Sequence, residues 1–241
     1  MKRFFTPVLC VLAMTIVPWS LACEGSGLED AEVKADPMAV IPGQQVGEIK
    51  PDSSEASLLA AYGAENVEPG GFSVGEGYCE PGTVLFADDP TKTLEVMWGD
   101  VQNKQFPVRV QWFDTASAWH TEQGINIGTT AEKLVALNEG PFDFTGLGWD
   151  YGGYVASWLE GNLTKPLPIE AVRIRLAGVA DMPEKGQQLD IYGEDSFNTG
   201  VLTKTGVLEH FVISQMSVVF PQNLQKYPST GEHQKSCEQF K

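Results

Sequence analysis

A helix-opening signature occurs twice in this chain, and each copy leads into strand-like alternation. Asp52-Ser53-Ser54-Glu55 and Thr129-Thr130-Ala131-Glu132 both fit a capping box. In such a box the first side chain accepts from the backbone N–H of the fourth residue, whose own side chain reaches back. Leu58, Leu59 and Tyr62 supply an apolar face behind the first box, and Leu134, Val135 and Leu137 supply one behind the second. Each segment runs the same distance from its box to a glycine, Gly63 or Gly140, and glycine best tolerates the left-handed conformation that ends a helix. The duplication reads as two copies of one unit.

After each helix the apolar period changes to two, the mark of a half-buried strand. Residues 83–86 and 93–98 flank a turn rich in Asp and Pro and read as a hairpin. Val108, Val110 and Trp112 then alternate with Arg109, Gln111 and Phe113. In the second copy, 142–145 and 154–159 read as strands, followed by Val172, Ile174 and Leu176 alternating with Arg173 and Arg175. Val212, Met216, Val218 and Phe220 are assigned to one face of the last strand, and 177–206 to a long loop or loose hairpin around 189–192. The expected fold class is α+β: two similar halves, 46–122 and 123–220, each a short helix packed on an antiparallel β-sheet. Residues 221–241 read as a C-terminal tail.

The chain opens with Lys2 and Arg3 and an apolar run that stops at Pro18, before Ser20-Leu21-Ala22-Cys23. That is a secretory leader over 1–22, too short for a membrane span of about 20 apolar residues. Two cleavage readings stay open: an ordinary signal peptidase using Ser20 and Ala22, or lipoprotein processing at Cys23, for which Leu21 sits one place late. Cys10 leaves with the leader, so lipidation of Cys23 would leave Cys79 and Cys237 as an even pair for a disulfide. Residues 23–45, polar with two prolines, read as a flexible linker behind that anchor.

Charge narrows the partners. The formal net charge is −16, and losing Lys2 and Arg3 with the leader takes it to −18. Such a body repels phosphate, so nucleic acid is not an expected partner, and the membrane is reached only through a lipid on Cys23.

The paired helix-then-sheet plan, with Gly128-Thr129-Thr130 at a helix entry, resembles β-lactamase-inhibitor-like and small outer-membrane-assembly lipoprotein domains. Val46-Gly47-Glu48-Ile49, Tyr62-Gly63-Ala64-Glu65-Asn66-Val67, Pro81-Gly82-Thr83-Val84-Leu85-Phe86 and Gly148-Trp149-Asp150-Tyr151-Gly152-Gly153 look like a family of exported bacterial proteins without an assigned activity. The resemblance implies a location in the periplasm or on a membrane of the cell envelope.

The segment most suited to binding is Gly146 to Gly153, whose glycines bracket Trp149, Asp150 and Tyr151; Trp158 follows closely. Flat aromatics on a tight backbone path suit stacking against a sugar or a protein surface, and the competing reading is that they fill the core. Asp88 and Asp89, or Glu194 and Asp195, lack calcium-loop spacing and read as turns. His120, His210 and His233 are not spaced as a zinc motif, and no nucleophile elbow accompanies them. Neither a metal nor a cofactor is expected. The functional expectation is a non-catalytic envelope protein that binds another envelope protein. A glycan-binding module using Trp149, Tyr151 and Trp158 is the alternative, and a hydrolase using Asp150 is a remote one.

Overall fold

Residues 39–45, expected to be spacer, contribute to strands of the domain. In the computed structural model, which describes residues 36–227 and 234–240, β1 (Ala39–Ile41) pairs antiparallel with β2 (Gln45–Val46). Val40 joins Val46 in the main core, which corrects the linker boundary: a valine that loses contact with water outweighs the local polarity around it. The leader, Cys23 and the rest of the linker up to residue 35 lie outside the described residues, which all fall within the compact unit Ala35–Lys241.

The first helix, α1 (Glu55–Tyr62), starts two residues later than its expected cap at Asp52. Ser54 is the cap: its hydroxyl accepts from Ser57 N–H, and the Ser57 hydroxyl accepts from Ser54 N–H, a box made by two serines. Glu55 is thereby released to the sheet, where Oε1 accepts from Lys104 Nζ at 2.5 Å and Thr83 Oγ1 at 2.7 Å. The chain then runs through β3 (Val67–Gly75), β4 (Tyr78–Leu85), β5 (Leu94–Asp100) and β6 (Gln105–Trp112), an antiparallel meander. Short β7 (His120–Thr121) returns to pair parallel with β1.

The second helix, α2 (Ala131–Asn138), is capped by Thr130, whose hydroxyl accepts from Lys133 N–H at 3.1 Å. Glu139, left-handed at φ 54°, ends it in place of Gly140. Next come β8 (Asp143–Thr145), β9 (Val155–Ser157) and β10 (Val172–Gly178). The expected loop 177–206 holds α3 (Glu184–Gln187), β11 (Ser196–Asn198) and α4 (Thr199–Thr205). β12 (Phe211–Val219) closes the second copy, and β13 (Lys235–Ser236) lies in the expected tail.

The halves share one topological feature, although the first is a four-stranded meander and the second divides its strands between two sheets. The cap residue of each helix bridges the start of a long sheet strand of its half, Ser54 to Gln105 of β6 and Thr130 to Val212 of β12. β6 and β12 then pair antiparallel, joining the halves into one seven-stranded sheet of order β10-β12-β6-β5-β4, with β3 along the outer edge of β4. β13 takes the part of β4 beyond the end of β5. β8, β9 and β11 form a small separate sheet, linked to β10 by a bridge between Tyr154 and Arg175.

One core serves both halves. Leu58 of α1 and Ala131 and Leu134 of α2 are buried with Val96, Trp98, Val110, Trp112, Ile174 and Met216 of the sheet. The β12 parity differs from expectation: a register shift at Arg175/Leu176 bulges Ser214, so Ile213 takes the buried place assigned to Val212. The tail is docked as well. Asn223, buried, donates from Nδ2 to the Pro51 carbonyl at 2.6 Å and the Pro107 carbonyl at 2.9 Å, and Cys237 is disulfide-bonded to Cys79.

Candidate functional site

The face of the main sheet away from the helices is polar, and strand register decides what gathers there. Since Val110, Val172, Ile174 and Met216 point into the core, the alternate residues Arg109, Gln111, Arg173, Arg175 and Gln215 point to the other side. Ladder pairs place Arg173 beside Ser217, Ser217 beside Gln111 and Gln111 beside Glu95 in one row across four strands. Arg175 stands beside Gln215 in the next row, and Arg109 beside Met97 on the other flank.

These side chains floor a cleft of about 300 Å³. Its walls are the β3–β4 hairpin at Ser73, Val74 and Gly75, the glycine-rich loop at Asp150 and Tyr151, and Tyr227 and Gln234 of the docked tail. The chain has four arginines, and the three beyond the leader, Arg109, Arg173 and Arg175, all line this cleft. Among the described residues none of the three forms an ion pair.

Each arginine sits differently. Arg175 holds the glycine-rich loop, donating from Nε to the Gly152 carbonyl at 2.8 Å and from Nη2 to the Trp149 carbonyl at 3.0 Å, with its guanidinium over the Tyr154 ring. Arg109 lies over the Phe72 ring, and burial, then the nearby Arg173 guanidinium, pushes its pKa below the usual arginine range. Arg173 is exposed at the mouth. Beneath them a directed chain runs from Tyr154 O–H to Gln215 Oε1, from Gln215 Nε2 to Gln111 Oε1, and from Gln111 Nε2 to Glu95 Oε2. Glu95 has its pKa raised by burial, against the opposing donation from Gln111 and the Ser73 backbone.

The glycine-rich loop is folded so tightly that Gly146, Gly152 and Gly153 have no room for a Cβ, which on the last would stand 2.3 Å from the Leu176 carbonyl oxygen. A Cβ on Gly146 would stand 2.3 Å from the Gly193 carbonyl oxygen, and one on Gly152 would stand 2.4 Å from the Gly146 carbonyl oxygen. Trp149, half-buried, donates from Nε1 to the Gly146 carbonyl and meets Tyr151 edge-to-face at 5.5 Å. Tyr151 is 48% exposed, and Asp150 Oδ2 accepts from Glu76 N–H at 2.8 Å, clasping the loop to the β3–β4 hairpin tip. Trp158 belongs elsewhere: 3% exposed, it packs on Phe142 and donates to the Leu167 carbonyl at 2.7 Å. Its assignment to a binding surface is therefore corrected; it is a core residue.

The remaining candidates are structural. His120 Nε2 lies 3.0 Å from Asp36 and its Nδ1 2.9 Å from the Ala118 carbonyl, so both ring nitrogens are occupied. His233 lies outside the described residues. Asp89 braces its own turn through Thr91 and Lys92, and Cys79 is in the disulfide. Glu80 is unusual: it is 1% exposed, and the polar group beside its carboxylate is the Tyr227 phenol. Tyr227 adjoins it, with a phenol pKa raised by burial first and by that carboxylate second. A wider cleft of about 620 Å³ lies across Arg175, between Gly148, Met182 and Tyr192, but its lining is mainly apolar side chains and backbone.

Of the residues singled out from the sequence, Asp150 and Tyr151 line this cleft; the arginines were not among them. The signal was present, since all three occupy outward positions of alternating strands; net composition averaged it away. No family model matches the chain, and no curated protein matches it. Among solved structures it aligns with the uncharacterized protein yfeY from Escherichia coli at TM-score 0.42 and 15% identity, over 76% of this chain and 99% of that one. The class defined by the fold is α+β.

Proposed function

We propose that this is an exported, non-catalytic cell-envelope protein that works by holding a ligand or partner in the cleft between the glycine-rich loop and the β3–β4 hairpin. The observation that carries the reading is the convergence of Arg109, Arg173 and Arg175, without an ion-pairing carboxylate among the described residues, on a cleft walled by exposed Tyr151. A guanidinium without an opposing carboxylate is available to recognise an anion or acceptor from outside. The leader and Cys23 support delivery to the envelope, periplasmic or tethered by lipid; among the described residues no helix is long and apolar enough to cross a membrane. The acidic body gives nucleic acid no purchase.

Another envelope protein and a glycan are the two partners considered. A cleft of about 300 Å³ takes one sugar ring or a few side chains, and the Trp149–Tyr151 pair offers the flat surface that either uses. The test has two parts. Fractionation of cells should place the chain in the envelope, with Cys23→Ser moving it from membrane to soluble periplasm. A soluble envelope digest should raise the melting temperature of the purified protein, and Tyr151→Ala should remove that gain without lowering the melting temperature of the free protein. Turnover of digest components, or a gain indifferent to Tyr151→Ala, would contradict the reading.

A further inference from the structure

We infer that the cleft is an oxyanion site: it takes a carboxylate or phosphate carried on a small, hydroxyl-bearing scaffold, held between Arg109 and Arg173. The inference rests on the binding reading above and names its ligand class. Arg109 is half-buried beside a second cation, and among the described residues its guanidinium makes no hydrogen bond and no ion pair. Such an arrangement is costly in the empty protein and becomes favourable when an anion supplies the missing charge and acceptors.

The other groups facing the cleft agree with this assignment. Asp150 is the carboxylate in the lining, and its Oδ2 is engaged by the Glu76 backbone. Glu95 stands on the same sheet face with Gln111 donating to it, and Glu80 is buried beside Tyr227 of the cleft wall; among the described residues none of the three pairs with a guanidinium. Arg175 already spends two of its N–H donors on loop carbonyls and acts as a positioning residue. Arg109 and Arg173 remain with their forks uncommitted, and a fork matches the paired oxygens of a carboxylate or phosphate. Around them stand neutral polar groups, Gln111, Gln215, Tyr151 and Tyr154, the complement of hydroxyls and a ring face rather than of an aliphatic acid.

Titration calorimetry with the purified protein tests this directly, using glucuronate, glucose 6-phosphate and glucose as probes. Glucuronate or the phosphate ester should bind saturably and more weakly as salt is raised, whereas glucose should not bind measurably; the stronger of the two anions identifies the oxyanion. Arg109→Met and Arg173→Gln should each weaken binding by about tenfold or more, the loss of a charge-assisted hydrogen bond. Arg173 is exposed, so its variant serves even if Arg109→Met fails to fold. Equal binding of glucose and glucuronate, or anion binding unchanged in both variants, overturns the inference. If neutral sugar or peptide then binds in a Tyr151-dependent way, the cleft reading survives; if no probe responds to either arginine or to Tyr151, both fall.

Discussion

At the residue scale, neighbouring aromatics of similar sequence context have opposite fates. Trp158 is enclosed by Phe142 and the Leu167 carbonyl, while Tyr151 stands at the cleft wall with half its surface free. Trp158→Ala should therefore cost about 3–5 kcal/mol of stability in a denaturant melt, whereas Tyr151→Ala should stay within about 0.5 kcal/mol, as surface substitutions do. Equal losses would contradict the assignment. The sequence could not separate them, because exposure depends on which element lies opposite, and that element is distant in the chain. Glu95 gives a second test. Its pKa is raised on folding by burial above the ordinary glutamate range, so the folded state binds its proton more tightly than the unfolded state does. Its contribution to stability thus falls as pH rises from the unfolded value through the folded one. Glu95→Gln should gain on the wild type as pH rises above the ordinary glutamate range and lose that advantage in more acidic solution; thermal melts across pH give the comparison, and an advantage that grows toward acid would refute it.

Among the elements, those with strong local patterns were legible and those made by distant partners were not. Alternation around Val110 and Ile174 marks β6 and β10 from the sequence alone, and the capping signals locate both helices to within two residues. β3, with Pro69, Gly70 and Gly71, carries no such pattern; β4 pairs with it along its whole length and supplies the order that its propensity lacks. β13 is two residues held at β4 beside the disulfide. The Cys79–Cys237 bond closes a loop across a sequence separation of 158 residues, for which chain entropy gives about 5 kcal/mol. Replacing both cysteines by serine should lower the melting temperature by about 5–15 °C. It should also weaken ligand binding, since Tyr227 and Gln234 of the same tail line the cleft. A melting temperature unchanged by the double substitution would show that Asn223 with its carbonyl partners and the β13–β4 pairing hold the tail without the disulfide.

Over the whole molecule, net charge and local field point in opposite directions. The chain is strongly acidic, yet its three arginines beyond the leader converge in one cleft. Charges on a distant surface are screened over about 8–10 Å at physiological salt, so the average says little about a ligand seated among those guanidiniums. The fold produces this convergence by joining its two halves along β6 and β12, which brings Arg109 of one half beside Arg173 and Arg175 of the other. Neither half alone assembles the site. The small number of arginines also makes the site easy to observe, because each Nε–H gives its own proton–nitrogen NMR signal and Arg3 of the leader serves as a control in the full chain. On titration with glucuronate or glucose 6-phosphate, the Arg109 and Arg173 signals should shift together and saturate while Arg3 stays still. Signals that stay unmoved, or that drift in parallel with Arg3 as they do on adding plain salt, would contradict an oxyanion site in this cleft.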